Sequence, residues 1–274
     1  MTRMFARLFP NSRQRALPSV PPGYRVYAIG DVHGRDDLLA ALLGQIEADH
    51  HQRGKASAVV VFLGDLIDRG PDSAAVVDRL MGYAPDWAKP VFLAGNHEEV
   101  LLRLLDGDDR VIDDWLRFGG AECCASYGID AAALRRMGSR RAGETVRAAV
   151  PKAHAAFLRG FSDTLSLGDY LFVHAGIRPG LPLDSQAQSD LRWIRQPFLS
   201  DISDHGYVVV HGHTVSDGID EAANRVGIDT GAYRSGVLTA FCAEGSQRWF
   251  IQTGPNAAKT SDASEVVATE AGAC

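Results

Sequence analysis

Short apolar runs alternate with helical patterns along the first third of the chain. The runs YRVYAIG, AVVVFLG and PVFLAG begin at Tyr24, Ala58 and Pro90, and each is followed by polar residues. They are almost continuously apolar, which is typical of strands buried on both faces of a sheet. Apolar residues at helical spacing predict one helix after each run, over residues 36–48, 71–83 and 98–105. This order predicts an α/β fold with a parallel sheet.

The rest of the chain changes character twice. Residues 104–160 have a helical pattern interrupted by glycines, and we interpret them as a helical insert packed beside the functional site. The second half is rich in predicted strands, over residues 164–167, 170–173, 207–210, 237–242 and 247–251. No repeat or linker divides these parts, so we expect a single domain over residues 24–253.

The two ends of the chain differ from this domain in composition. Residues 1–23 carry four arginines and no acidic residue, which predicts a flexible basic arm. Residues 254–274 are rich in alanine, serine, threonine and glutamate, which predicts a disordered tail.

Composition argues against two classes of partner. The 274 residues are 46% hydrophobic and 23% charged, as in an ordinary soluble globular protein. The net charge of −6 argues against a nucleic-acid partner, and no apolar run is long enough to span a membrane. The four cysteines form no C-x-x-C pair and suit a reducing compartment, so we expect a cytoplasmic protein.

Polar side chains follow five of the predicted strands, and most of them can bind metal ions. They are Asp31, His33, Asp65, Asp68, Arg69, Asn96, His97, His174, His211 and His213. Open α/β sheets bind ligands beyond the carboxyl ends of their strands, so we expect these side chains to meet. One aspartate after a strand is usually a turn former, but five strands that all end in such groups indicate a functional site.

The chemistry of these residues indicates a pair of metal ions. Oxygen and nitrogen ligands without a thiolate suit divalent manganese, iron, zinc or cobalt. Two carboxylates, an amide and two or three imidazoles suit two ions about 3.5–4 Å apart that share one carboxylate. Such a pair polarises a phosphoryl oxygen and lowers the pKa of a bridging water, whose hydroxide attacks phosphorus.

Five motifs in order carry a family resemblance. They are GDVHG (30–34), GDLIDRG (64–70), GNHE (95–98), HAG (174–176) and HGHT (211–214). Together they resemble the phosphoprotein-phosphatase branch of the calcineurin-like metallophosphoesterases, in its bacterial form. That group includes serine/threonine protein phosphatases and symmetrical diadenosine-tetraphosphate hydrolases. The resemblance implies a central β-sandwich flanked by helices and two divalent ions, with manganese favoured over iron, zinc or cobalt.

The resemblance also implies a role for each motif position. The implied metal ligands are Asp31 and His33 for the first ion, Asp65 as the bridge, and Asn96, His174 and His213 for the second. The implied catalytic residues are His97 as the general acid, Asp68 as its hydrogen-bond partner, and Arg69 and Arg195 as phosphate-binding residues.

Two of these assignments require a choice between neighbours. Arg178, Arg192 and Arg195 lie in the interval where the second arginine is expected, and "DLRWIR" (190–195) looks like the family's W-x-R element, which favours Arg195 with Arg192 in reserve. His211 and His213 would face one side of an extended strand. The family places its ligand immediately before Thr214, which selects His213.

The substrate follows less directly from the sequence. Asp68 and Glu98 favour a phosphomonoesterase that resembles serine/threonine protein phosphatases, because tetraphosphate hydrolases often have other residues there. A solvated face is the favoured interpretation of the arginines of the insert, Arg135, Arg136, Arg140, Arg141 and Arg147, but they could also hold a polyphosphate. The alternatives are therefore a phosphorylated protein, a small phosphoester or a dinucleoside polyphosphate as substrate. A non-catalytic binding module is disfavoured, because no implied ligand is missing.

Overall fold

Two five-stranded sheets lie at the centre of the structure, a computed structural model that describes residues 17–254. The strands are β1 (Tyr24–Ile29), β2 (Ser57–Phe62), β3 (Ala88–Phe92), β4 (Thr164–Leu167), β5 (Tyr170–Val173), β6 (Val208–His211), β7 (Asp220–Glu221), β8 (Arg225–Gly227), β9 (Thr239–Glu244) and β10 (Gln247–Gln252). The sheet orders are β10-β9-β1-β2-β3 and β4-β5-β6-β8-β7. β1, β2 and β3 pair in parallel, as the sequence predicts.

The two sheets pack face to face and form the expected β-sandwich. Val26, Val61 and Phe241 of the first sheet share one buried cluster with Phe172 and Val210 of the second. The opposite face of the first sheet is covered by two helices, α1 (Asp36–Arg53) and α2 (Ser73–Met81). Because β1 and β2 are covered on both faces, their sequences are almost continuously apolar.

The third helix, α3 (Asn96–Leu105), begins earlier than predicted. The expected start was residue 98, but Asn96 and His97 already lie in the first turn. The site residues of GNHE are therefore fixed by a helix rather than by a loop. In the same way, α1 continues to Arg53, beyond the predicted end at residue 48.

The segment after α3 consists of short helices. They are α4 (Ile112–Trp115), α5 (Ala121–Ser126), α6 (Ala131–Leu134), α7 (Ser139–Ala149) and α8 (Lys152–Arg159), and a π-turn, Leu116–Gly120, joins α4 to α5. Two more helices, α9 (Gln188–Trp193) and α10 (Ala232–Ser235), lie between later strands. Sequence patterns missed β7 and β8, because two and three residues are too few to show an alternation.

The described part of the basic arm packs on the domain. Val20 is buried in the cluster between the sheets, and its N–H donates to the Gly245 carbonyl at 2.9 Å. Ser19 donates to Asp169 from its backbone N–H at 2.8 Å. The expected boundary at residue 24 is therefore too late, because an apolar side chain before it completes the core. Residues 1–16 and the predicted tail from 255 onward lie outside the described residues.

No helix within residues 17–254 combines the length and the apolar character that a membrane span requires.

Candidate active site

The predicted ligands meet at one edge of the β-sandwich. Asp31 and His33 follow β1, Asp65 follows β2, Asn96 begins α3, and His174 and His213 follow β5 and β6, so six residues far apart in sequence converge. Each of the six is buried, with no more than 6% of its surface exposed. Buried polar groups of this kind need partners, and charged ones need opposite charges or metal ions.

Asp65 lies at the centre of the cluster. Its Oδ2 is 3.7 Å from His33 Nε2, and its Oδ1 is 3.4 Å from His174 Nε2. The His97 N–H also donates to Oδ1 at 3.0 Å. Burial raises the pKa of Asp65, but the neighbouring His174 and His97 more than offset this and hold it well below its usual value. Asp65 is therefore an ionised carboxylate with imidazoles on two sides.

Asn96 and His213 complete the side of the cluster next to His174. Asn96 Oδ1 lies 3.0 Å from His174 Nε2 and 2.8 Å from His213 Nδ1. The His213 N–H lies 3.1 Å from both carboxylate oxygens of Asp31. Two groups of possible ligand atoms overlap at Asp65: one joins it to His33 and His97, and the other joins it to His174 and His213.

The donor atoms of this cluster fit divalent cations. Nε2 of His33 and Nε2 of His213 are buried and have no hydrogen-bond partner within residues 17–254. The other ring nitrogen of His33 bonds the Ile67 carbonyl at 2.8 Å, and that of His174 bonds the Leu63 carbonyl at 2.9 Å. When Nδ1 holds the proton of such a bond, Nε2 is left for a metal ion, which is the usual arrangement of a metal-binding histidine. In His174, burial is outweighed by the neighbouring Asp65, which raises the pKa, so a bound ion would displace the Nε2 proton there.

The electrostatics favour the same conclusion. Burial, Asp229 and Asp65 together raise the pKa of Asp31 well above its usual value, so the carboxylates are crowded. Burial lowers the pKa of His33 well below its usual value and that of His213 to about 3. These imidazoles are therefore neutral near pH 7, as metal binding requires, and bound cations would relieve the repulsion between the carboxylates.

The backbone is strained where it presents these side chains. Within residues 17–254, the non-glycine residues with positive φ are His33, Asp65, Asp68, Arg69 and His213. All five belong to the cluster or border it. A positive φ is costly for residues with a Cβ and is concentrated at functional sites. Gly212 lies against Asp31, where a Cβ would overlap the carboxylate.

A second group, beside the cluster, can move a proton. His97 Nδ1 lies 2.7 Å from Asp68 Oδ2, and Arg69 Nη2 lies 3.1 Å from His97 Nε2. Burial lowers the pKa of His97, but the Asp65 charge and the Asp68 hydrogen bond outweigh it and raise the pKa to about 9. At the edge of the cluster, His97, which can donate a proton, therefore lies beside the cationic guanidinium group of Arg69.

One arginine candidate differs from the other two. Arg178 forms a two-pronged pair with Asp190 at 2.7 Å, and Arg192 pairs with Asp163 at 2.6 Å. Arg195 has no ion-pair partner among the residues that the structure describes, and it lines the same cavity as Arg69 and His97. The geometry therefore distinguishes Arg195 from two arginines that are already neutralised.

The two histidines of HGHT do not face the same side. β6 ends at His211, and His213 has φ +61, so the extended-strand expectation is wrong for this pair. His213 points to Asn96, whereas His211 bonds the Gly212 carbonyl at 3.0 Å and packs edge-on against Phe198. Burial lowers the pKa of His211 to about 4. His211 thus lies outside both groups of possible ligands.

A cavity of about 700 Å³ opens beside the cluster. Its walls come from the cluster, from α3 and the insert, and from the end of α9 with the segment that follows it. They include Arg69, Arg103, Arg110, Asp114, Phe118, Trp193 and Arg195. The cavity connects the buried polar groups to solvent and can hold a ligand much larger than one phosphate.

Comparison with known proteins identifies the family. The sequence pattern of the calcineurin-like phosphoesterase family matches residues 24–243. The chain belongs to that family. The expected resemblance and the fold class are thereby confirmed.

Relatives of this phosphoesterase carry tetraphosphatase names. Over 81 residues it is 43% identical to a symmetrical bis(5'-nucleosyl)-tetraphosphatase of Legionella pneumophila, a match that covers 30% of this chain and 26% of the relative. Over 234 residues it is 26% identical to an asymmetrical bis(5'-nucleosyl)-tetraphosphatase of Bacillus subtilis, which covers 78% of this chain and 88% of the relative. A solved structure assigned as a diadenosine tetraphosphatase has a TM-score of 0.60 at 20% identity and covers 88% of this chain and all (100%) of the other.

The sequence patterns did not identify two buried carboxylates, those of Glu98 and Asp229, as residues of the phosphoesterase site. Glu98 accepts the Leu66 N–H on one oxygen and the N–H groups of Asp65 and Gly95 on the other, at 2.8–3.0 Å. Asp229 follows β8, and its Oδ2 has no partner within residues 17–254. Glu98 lies three residues after the glycine that caps α3, a spacing typical of a helix-capping glutamate, so the sequence pattern could have identified it. Asp229 could not be identified, because it follows a strand that is too short to predict.

Replacing Glu98 with glutamine is expected to destabilise the metal-free protein by about 1–3 kcal/mol, because an amide nitrogen would face a backbone N–H. Burial and Asp65 raise the pKa of Glu98 to about 7. The folded pKa exceeds the unfolded one, so this carboxyl contributes stability at acid pH that is lost as the pH rises through 7. Urea unfolding across that range measures both effects. Equal stability of the two proteins at every pH would contradict the assignment.

Proposed function

We propose that this phosphoesterase hydrolyses dinucleoside polyphosphates, with diadenosine tetraphosphate as the representative substrate. The observation that carries the proposal is the shape and charge of the cavity beside the cluster. A volume of about 700 Å³ exceeds what one phosphoryl group needs, and four arginines line it. The names of the relatives point the same way.

The arginines give the cavity a positive wall. Arg69 and Arg195 flank the cluster, while Arg103 and Arg110 lie farther out and share one aspartate, Asp108, each at 2.7 Å. Two guanidinium groups on one carboxylate leave a net positive charge. Because a polyphosphate chain carries several negative charges, spaced guanidinium groups are suited to bind it. The insert arginines named from the sequence are not part of this wall; Arg103 and Arg110 are.

Two exposed aromatic side chains in the cavity wall are suited to bind nucleobases. Phe118 of the π-turn is 60% exposed, and Trp193 at the end of α9 is 41% exposed. Both line the cavity with the arginines. Large apolar rings that remain open to solvent in a binding cleft are suited to stack on bases. A phosphoserine side chain has no ring that could stack on them.

We assign two divalent ions, with manganese favoured, to the cluster. Asp31 and His33 would hold the first ion, Asp65 would be shared, and the second would be held by Asn96, His174 and His213. When bound, the ions supply a nucleophile from water and polarise the phosphoryl oxygens. The neutral imidazoles of His33 and His213 and the crowded carboxylates support this ligand set.

The protein's own groups move the proton and hold the phosphate. Arg69 Nη2 lies 3.1 Å from His97 Nε2, and the raised pKa of His97 favours its imidazolium form. When a substrate phosphate attracts Arg69, the Nε2–H of His97 is free to face the departing oxygen. Asp68 stabilises this imidazolium through Nδ1. His97 then gives the Nε2 proton to the departing oxygen, while Arg69 and Arg195 bind the phosphate oxygens.

A phosphomonoester substrate is the second candidate, favoured by the His97–Asp68 pair. The alkoxide that leaves a phosphoserine is strongly basic and needs a proton. The phosphate that leaves a polyphosphate is a much weaker base and depends less on a general acid. A general acid buried with its own carboxylate therefore suits the phosphatase reaction implied by the motifs.

Comparing kcat/KM for three substrates with Mn²⁺ present separates these candidates. We expect diadenosine tetraphosphate to be preferred over a phosphoserine peptide and phenyl phosphate by about 100-fold or more. A preference for the phosphopeptide would overturn the proposal in favour of the second candidate. Chromatography of the products shows which anhydride bond breaks: two ADP indicate symmetrical cleavage, and AMP with ATP asymmetrical cleavage.

Replacing Arg195 with alanine should reduce kcat/KM for the tetraphosphate by about 10- to 100-fold, because one charged hydrogen-bond donor to phosphate is lost. Arg178→Ala is the matched control, since Arg178 pairs with Asp190 near the surface and should leave kcat/KM unchanged. Steady-state kinetics on the three proteins measures this. A loss in Arg192→Ala with normal Arg195→Ala kinetics would reverse the assignment.

A further inference from the structure

The insert makes a sharp turn beside the proposed general acid. α4 ends at Trp115, and the π-turn that follows contains Gly119 at φ +121. Phe118 and Gly119 have non-helical backbone angles, so the chain kinks between α4 and α5. The contacts of this turn involve the two catalytic residues that follow β2.

Trp115 bonds directly to Asp68. Its indole is 3% exposed, and Nε1–H lies 3.0 Å from Asp68 Oδ2 and 3.2 Å from Oδ1. The same Oδ2 lies 2.7 Å from His97 Nδ1. Asp68 is fully buried, and its N–H donates to Ser73 Oγ at 2.9 Å. The carboxylate is therefore held between an indole and an imidazole and cannot turn without breaking one bond.

The paired glycines of the turn allow this approach. Gly119 accepts the Arg69 N–H at 3.0 Å, and a Cβ on Gly119 would lie 2.6 Å from Arg69 Cγ. A Cβ on Gly120 would overlap the indole of Trp115. One glycine thus permits contact with Arg69 and the other makes room for Trp115. This gives a physical reason for a glycine pair that otherwise marks only a helix break.

We infer that Trp115 is a positioning residue that couples the insert to proton donation by His97. Its N–H fixes the Asp68 carboxylate in the orientation that receives His97 Nδ1–H. The inference rests on the proposed general-acid role of His97. Trp115 itself only donates a hydrogen bond and exchanges no proton with substrate.

The inference has a chemical signature. When the P–O bond breaks, its electron pair stays on the departing oxygen, which takes the proton from His97 Nε2. A strongly basic leaving group needs that proton, and a weakly basic one does not. Loss of Asp68 positioning should therefore slow only substrates with basic leaving groups. Loss of packing or of metal would slow every substrate equally.

The experiment measures kcat for phenyl phosphate and dinitrophenyl phosphate with Mn²⁺, using Trp115→Phe. We expect kcat to fall about tenfold for the phenyl ester and less than about twofold for the dinitrophenyl ester, with unchanged metal content. Trp249→Phe is the matched control, because Trp249 is also a buried tryptophan but packs on Tyr27, away from the cluster. It should leave both rates unchanged.

A second variant separates the N–H from the ring. Benzothienylalanine at position 115 keeps the bicyclic shape and replaces the donor by sulfur, so it tests the hydrogen bond even if Trp115→Phe does not fold. Equal loss on both esters, or no loss on either, would overturn the inference.

Asp68→Asn in the same series keeps the inference separate from the proposed function. If Asp68→Asn is selective for the phenyl ester and the position-115 variants are not, only the inference fails. If no variant is selective, the general-acid role of His97 fails as well.

Discussion

Asp65→Asn should cost the phosphoesterase both metal ions and, with them, its activity. Asp65 is the residue shared by the two overlapping groups of possible ligands, and its carboxylate faces His33 and His174. Asparagine keeps the shape and tolerates the positive φ of this position, but it removes the charge. We expect manganese affinity to fall by more than about 100-fold, since weaker changes around metal ligands already cost 10- to 100-fold. Metal analysis after gel filtration measures this.

The fold of this variant provides its internal control. The amide oxygen of the introduced asparagine can still accept the His97 N–H, so the metal-free variant should still fold. Its thermal unfolding temperature should be lower than that of the metal-free parent, because the carboxylate that His174 and His97 stabilise is lost. Retention of two ions by a folded Asp65→Asn protein would contradict the assignment of Asp65 as the ligand that both ions share.

Asp68→Asn is expected to reduce kcat for phenyl phosphate by about 100- to 1,000-fold while leaving both ions in place. Asp68 contacts His97 and Trp115 and belongs to neither group of possible ligands. An amide cannot stabilise the imidazolium as a carboxylate does, so proton donation fails while ligation remains. Steady-state kinetics with metal analysis on the same sample tests this.

A matched aspartate–histidine pair lies away from the site. Asp78 Oδ1 is 2.9 Å from His154 Nε2, and neither residue belongs to the cluster or lines the cavity beside it. Asp78→Asn should therefore leave both kcat and metal content unchanged. If Asp68→Asn instead loses its ions, the aspartate acts on metal binding rather than on the proton, and the assignment is wrong.

The convergence of the site could be predicted because parallel strands end at one edge. Asp31 and Asp65 follow adjacent parallel strands, so the topology alone brings them together. The resemblance predicted that Asp68 is the hydrogen-bond partner of His97. In the structure, Asp68 Oδ2 lies 2.7 Å from His97 Nδ1. Neither result requires knowledge of how the insert folds.

The remaining features depend on tertiary contacts that no short pattern encodes. Trp115 reaches Asp68 from an insert helix 47 positions away, and its role depends on a π-turn. The orientation of His213 depends on a positive φ that breaks the strand period. Arg103 and Arg110 line the cavity because of how α3 meets the insert. In each case the chain path, rather than residue type, decides what the side chain contacts.

Titration of metal-stripped protein with Mn²⁺ tests the central claim most directly, because one sample gives both the number of bound ions and the rate of diadenosine tetraphosphate hydrolysis. Two ions per chain are expected, with hydrolysis appearing as the second ion binds and disappearing when a chelator removes it. Full activity in the chelated protein, or saturation at one ion with full activity, would contradict a shared two-ion centre at Asp65.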